Sequence, residues 1–134
     1  AAILIRHETW RQVGPIEEPF FMYFEETDWC QRSIEAGWET HYLPTAQVIH
    51  YEGKSSEQVI AARTIRFQRS KIRYTRKYFG KGWAAALRLF LWATFAFQWA
   101  EEIAKWLIGH RRALRRERIT TYSQVLRKLF DFRF

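Results

Sequence analysis

Cysteine is almost missing from this sequence. Cys30 is the only one in 134 residues, so no internal disulfide can brace the chain, which suits a reducing compartment. Aspartate is nearly as scarce. With only Asp28 and Asp131 present, no Asp-x-Asp pair exists, and no Gly-rich phosphate loop is present either. There is no start Met and no basic segment ahead of the apolar opening Ala1-Ala2-Ile3-Leu4-Ile5. No signal peptide is therefore read, and the opening inside an apolar run suggests a piece of a longer protein. A membrane-spanning helix needs about 20 apolar residues, whereas the uncharged core of the most apolar region, Leu89 to Ala100, has twelve. Internal repeats and low-complexity tracts are absent.

What is abundant is aromatic and basic. Hydrophobic residues make up 48% and aromatics 18%, with 7 Trp and 11 Phe, which excludes a disordered chain. Aromatics at this density suit a core plus a surface made for lipid or a partner. The net charge of +8 is unevenly spread. Residues 1–62 hold 4 Lys/Arg against 10 Asp/Glu, a balance of −6, while residues 63–134 hold 18 against 4, a balance of +14. An acidic half followed by a basic half points to two jobs. The basic half should attract phosphate, whether of lipid, nucleotide or nucleic acid.

Pattern and punctuation give a coarse map. Ala1 to Ile5 reads as a short buried strand. Glu8 to Val13 reads as a short helix stopped by Gly14-Pro15, and Phe20 to Phe24 as an extended or turn segment. Thr27 to Ala36 reads as a helix ended by Gly37. It has Trp29, Cys30, Ser33 and Ile34 on its inward face, and Asp28 pairs with Arg32 on the other. Cys30 then acts as a small core hydrophobe. Thr40–Leu43 and Gln47–Tyr51 read as strands around a Pro44-Thr45 turn. Ser55 and Gln58 form a capping box for a long helix reaching about Phe79. A second long helix is expected from about Trp83 to Ile108, between the breaks at Gly80 and Gly82 and the stop at Gly109. A basic run at 110–118 and an amphipathic piece from Tyr122 to Phe130 complete the chain.

The stretch from Phe20 to Arg32 carries the most chemistry. Glu25, Glu26 and Asp28 sit at a helix start behind an aromatic wall. A helix N-terminus stabilises carboxylates while aromatic neighbours desolvate them, and that opposition is how a general base is tuned. The plain alternative is a set of helix-start acids favoured by the macrodipole alone. His50, at the end of Val48-Ile49-His50-Tyr51, suits either a divalent ion at a strand end or a hydrogen bond at a sheet edge. Trp38 can stack on a sugar or fill a core. His7 and His41 read as structural.

The order of these segments resembles the second half of the family-2, inverting glycosyltransferases, most closely their rhamnosyltransferase-like branch. It runs from an apolar strand and a helix ending in Val-Gly to Phe-Phe-Met-Tyr-Phe-Glu-Glu-Thr-Asp, then Ala-Gly-Trp, then Leu-Pro-Thr-Ala-Gln-Val-Ile-His-Tyr. It covers roughly residues 1–80. The resemblance implies an α+β fold: the C-terminal half of a GT-A-like α/β domain with few short strands, followed by long helices. Residues 1–58 would form the acceptor-side half and residues 59–134 a basic, aromatic helical region. In the family motif Glu-Asp-x-Asp, the Asp after the Glu deprotonates the acceptor hydroxyl. Here that position is Glu26, a departure that moves the carboxylate by about one bond length. Glu25 matches the leading Glu, and Asp28 matches the second acid. His50 matches a His that often reaches the metal or nucleotide diphosphate. Trp38 and Arg32 become acceptor-side candidates. The resemblance also implies a nucleotide-sugar donor, a glycan or lipid-linked acceptor, and a divalent metal, Mg or Mn, in the full-length enzyme. The nucleotide-binding half carries the Asp-x-Asp that this chain lacks, so these residues alone are expected to be inactive and to hold no metal.

The basic half adds further expectations. Arg63, Arg66, Arg69, Arg73 and Arg76 share one stripe, suited to phosphate or to solvent, with Arg63, Arg66 and Arg69 the phosphate-binding candidates. Ile60, Phe67, Tyr74 and Tyr78 should face the core. Leu87, Phe90, Leu91, Thr94, Phe95 and Gln98 mark one face of the next helix, widened by Trp92, Phe97 and Trp99. That helix is read as an interfacial membrane helix, an oligomer contact or an ordinary buried pair. The following arginines suit anionic lipid. A peripheral position at the inner, cytoplasmic face of the membrane and a homo-oligomer built through the C-terminal helices are expected. A nucleic-acid-binding module or a membrane-surface module without chemistry are the competing readings. No nucleic-acid reader motif is visible, and nucleic acid is not an expected partner.

Overall fold

A computed structural model describes residues 3–20, 22–49, 60–109 and 111–131. Five helices occur among them: α1 (His7–Val13), α2 (Glu25–Glu35), α3 (Ile60–Phe79), α4 (Lys81–Leu107) and α5 (Arg112–Phe130). They group into two compact units, Ala1–Glu57 and Gln58–Phe134.

The first unit is small. α1 stops where Gly14 takes φ 84°, and α2 stops at Gly37 (φ 87°), where the Trp38 N–H turns back to Ser33 O at 3.0 Å. That is the left-handed C-terminal turn that favours glycine. Trp29 is buried, stacks on Trp10 (centroids 6.3 Å apart) and donates its indole N–H to Gly14 O at 2.9 Å. Phe20, Thr9 and Ser33 are buried as well. Cys30 is half-buried, and Ile34, placed inward by its spacing, is exposed.

The second unit is an all-helical bundle. Gly80 alone joins α3 to α4, with φ 90° and ψ 174°, a backbone region open essentially only to glycine. The core comprises Ile72, Ala84, Leu91, Phe95, Val125 and Leu129, with Ile65, Leu87, Tyr122 and Leu126 packed against it. Ile72 and Val125 are fully buried, and burial of each contributes about 1.5–3 kcal/mol. Beyond the apolar layer, the Trp99 indole donates to Ser123 Oγ at 2.9 Å. The buried Glu102 carboxylate accepts from Arg115 at 2.7 and 2.9 Å and from Arg118 at 3.2 Å. Desolvation would raise the Glu102 pKa, but the hydrogen bonds and charges of the two arginines outweigh it and hold it below the usual carboxylate value.

Several expectations need correction. The α+β class is overturned: the described residues form helices and no strand, an all-α arrangement. Ile3–Ile5, Thr40–Leu43 and Gln47–Ile49 are irregular, with Leu4 99% and Tyr42 89% exposed. A strand's backbone needs a neighbouring strand to close its hydrogen bonds, and no ladder forms at any of these segments. The Pro44-Thr45 turn is present, with Ala46 N–H donating to Leu43 O at 3.2 Å. The Ser55/Gln58 capping box lies outside the described residues. On α3 the buried stripe runs through Ile65 and Ile72, while Ile60 and Phe67 are exposed. Tyr74 and Tyr78 instead contact each other at 4.6 Å along one half-buried edge. On α4 the core stripe is Ala84, Leu87, Leu91 and Phe95, which leaves Phe90 outside it. The basic residues from Arg112 on and the amphipathic piece are one continuous helix, α5.

Candidate active site

The acidic stretch forms the N-terminus of α2. The chain enters it through two non-glycine residues in the left-handed region, Tyr23 (φ 69°) and Phe24 (φ 68°). Each such residue costs about 1–2 kcal/mol, and strain of this kind gathers at sites whose geometry the surroundings impose. The N-cap residue, Phe24, supplies no side-chain cap, and a helix N-terminus attracts nearby anions.

The three carboxylates meet three environments. Asp28 is fully buried and accepts from Arg32 Nε at 2.9 Å, one helical turn on. Glu25 is half-buried, and its Oε2 is shielded from solvent without a hydrogen-bond partner among the described residues. Glu26 is exposed. Among the three it is the one whose carboxylate can meet an incoming molecule.

Arg32 is committed to holding this corner together. Besides Asp28, its guanidinium donates to Val13 O and Pro15 O, each at 2.9 Å, and Glu17 lies 4.0 Å away. One planar cation thus ties the end of α1, the loop after it and the first turn of α2. Spacing revealed the Asp28–Arg32 pair but set it facing solvent; the pair is buried because backbone carbonyls satisfy the remaining donors. Trp38 is half-buried and donates its indole N–H to Gln12 Oε1 at 2.9 Å, beside the same loop.

Other candidate positions lie elsewhere. His50 lies outside the described residues. Among the described residues no three His, Cys, Asp or Glu side chains converge to hold a metal ion. His41 pairs with Glu39 at 2.8 Å on an exposed segment. In the second unit Arg63, Arg66 and Arg69 are exposed along α3. Arg73, deeper on the same helix, has its pKa lowered first by burial and then by the charge of Arg69. Sequence reasoning missed the left-handed Tyr23-Phe24 turn, which no glycine announces, and the Glu102 cluster, whose partners are 13 and 16 residues away.

The chain is similar to known sugar transferases. N-acetylglucosaminyl-diphospho-decaprenol L-rhamnosyltransferase of Mycobacterium tuberculosis, in strains CDC 1551 / Oshkosh and ATCC 25618 / H37Rv, is 30% identical over 98 residues, 73% of this chain and 32% of that protein. Rhamnosyltransferase WbbL of Escherichia coli (strain K12) is 37% identical over 49 residues, 37% of this chain and 19% of that protein. No protein-family model matches, and no solved structure matches significantly. The chain is a homologue of sugar transferases. More narrowly, the homologues it matches are rhamnosyltransferases, the branch that its acidic and aromatic motifs resemble. It spans about a third of the length of the Mycobacterium relatives it matches.

Proposed function

We propose that this chain supplies the acceptor side of an inverting glycosyl-transfer site, with Glu26 as the general base. The observation that carries the assignment is the sorting of the acids. Asp28 is buried and tied to Arg32, Glu25 is partly enclosed, and Glu26 stands exposed at the helix N-terminus. In this reading a Glu26 carboxylate oxygen takes the acceptor hydroxyl proton. The hydroxyl oxygen attacks the anomeric carbon, and the bond to the nucleoside diphosphate breaks on the opposite face, its electron pair leaving with the diphosphate. Asp28 and Arg32 position the helix start that presents Glu26, and Trp38 borders the same loop. Rhamnose as the sugar and a lipid-linked diphosphate sugar as the acceptor follow the relatives' names. Donor binding and any divalent metal belong, in this reading, to further residues of a longer enzyme. Asp-x-Asp is absent from this sequence, so the 134 residues alone are expected to transfer no sugar.

Two further assignments go with it. The exposed Arg63, Arg66 and Arg69 would meet phosphate, a role supported by the repulsion between Arg69 and Arg73 that an anion would relieve. A peripheral place at the inner face of a membrane is supported by the basic surfaces of α3 and α5. Among the described residues no helix is long and apolar enough to cross a membrane.

The test is Glu26→Gln in the longer enzyme that contains this chain. General-base loss should lower kcat by about 10²–10⁴-fold, with an unchanged thermal melt because Glu26 is exposed. Turnover within twofold of the parent enzyme's would remove Glu26 from the mechanism.

A further inference from the structure

We propose that the outer face of α4 pairs, antiparallel, with the same face of a second copy of this chain. This inference is independent of the transferase reading. The core stripe of α4 leaves a second apolar stripe turned away from the bundle. Trp83, Ala86, Phe90, Ala93, Phe97, Ala100, Ala104 and Leu107 follow one another at alternating spacings of three and four residues, and all eight are exposed. This is the heptad spacing of a helix–helix seam. Trp83, Phe90 and Phe97 are 70%, 66% and 72% exposed, an unusual position for three large aromatics in line.

The order of sizes in the stripe argues for its own copy as the occupant. Turned antiparallel about a two-fold axis near residue 95, the stripe matches itself. Phe90 lies across from the second copy's Ala100, and Ala93 across from its Phe97. Trp83 meets Leu107, and Ala86 meets Ala104. Each Phe ring then faces a methyl group rather than another ring, the large-to-small fit that lets two helices approach closely. A two-fold pairing also satisfies both patches at once and leaves no further seam open. Aromatic side chains each present about 150–250 Å². The exposed parts of the three rings on both copies therefore offer roughly 600–1,000 Å², before Leu89, Leu107 and the alanines are added. A small stable interface buries about 1,200 Å².

The charges disfavour a lipid surface as the occupant of this face. An interfacial helix carries Lys and Arg beside its apolar face. Within α4 the basic residues are Lys81, Arg88 and Lys105. Arg88 donates to the Phe130 carbonyl, Lys105 pairs with Glu101, and Lys81, at the N-terminal end, falls on the far side of the helix from the stripe.

Sedimentation of the full 134-residue chain tests the pairing. The expected mass at about 50 µM is twice the chain's 16.3 kDa. The double variant Ala93→Glu/Ala100→Glu places acids on an already exposed surface. It should weaken dimerisation by about 100-fold or more, because the seam would bury unpaired charges, while the helical circular dichroism of the monomer is kept. Orientation is read by a short bis-maleimide crosslinker in a Cys30→Ser background. Ala96→Cys, next to the two-fold axis, should crosslink to its copy. Ala86→Cys, about 27 Å from its copy along the axis, should not. A monomeric parent chain, efficient crosslinking at Ala86→Cys, or a double variant that dimerises as the parent chain does would each overturn the proposal. So would α4-dependent flotation with phosphatidylcholine vesicles in place of dimerisation.

Discussion

At the residue scale, the N-terminus of α2 combines strain with a buried cation bridge. Arg32 serves Asp28 and two backbone carbonyls of the preceding loop, so Arg32→Ala would remove the cation from a fully buried carboxylate and the donors from both carbonyls. Losing one partner of such a pair costs about 3–5 kcal/mol, and urea unfolding of the chain should register it. Arg111, the residue before α5, illustrates the opposite case. It sits at φ 47° and is exposed, so Arg111→Gly should remove about 1 kcal/mol of backbone strain. The expected result is a melting temperature several degrees higher; a lower one would contradict the strain argument. How much could be read in advance differs between these residues. The acids at the start of α2 and the i, i+4 partner of Asp28 were legible from spacing. Burial of that pair was not, because it depends on carbonyls brought in by a loop. Nor was the left-handed turn, since Tyr23 and Phe24 are bulky residues that rarely adopt it.

At the element scale, helix limits were far more legible than helix faces. Gly14, Gly37, Gly80 and Gly109 all take positive φ at the ends or junctions where punctuation placed them. Faces failed on α3 and α4 because aromatic residues occupy more than one side of each, and size alone does not show which side meets a neighbour. The three short segments read as strands failed for another reason: residue pattern describes a local tendency, while a ladder requires a second chain segment. The α4–α5 pair carries its own pH signature. The Glu102 pKa is lower folded than unfolded, so the unfolded state takes up protons first on acidification. Its contribution is present above the unfolded Glu value of about 4.3 and is lost as pH falls through the lower, folded value. Glu102→Gln should therefore lower the melting temperature at pH 7 and flatten its dependence on pH below about 4.5. An acid limb identical to that of the parent chain would show that other carboxylates set it.

At the scale of the whole molecule, charge is partitioned by half, and the second half keeps only four acids against eighteen bases. Two of those bases, Arg115 and Arg118, are engaged by Glu102. Any attraction to anionic lipid through the N-terminal end of α5 should therefore rest on Arg111, Arg112 and Arg116, which are exposed. Replacing those three with Gln should reduce flotation with phosphatidylserine vesicles by about tenfold or more, at about 1 kcal/mol per charge. The same change should leave the melting temperature within a few degrees of the parent chain's, whereas Arg115→Gln should lower it. Equal flotation of the triple variant would detach the N-terminal end of α5 from any membrane role. The Glu102 cluster also bears on alternative alignments of the bundle. If α5 slid by three residues, Arg112 and Arg115 would replace Arg115 and Arg118 at the acid. Thr120 would bring a hydroxyl to Trp99 in place of Ser123, and Leu126 would stand in for Leu129. Each of those stations would be refilled by an acceptable substitute. Two others would not: the closed slot of Val125, which has no exposed surface, would have to admit Tyr122, and the place of Leu126 against the core would fall to Ser123. Two adjacent aliphatic side chains thus distinguish the native alignment from this competitor, and Val125→Ala would weaken that distinction as well as open a cavity.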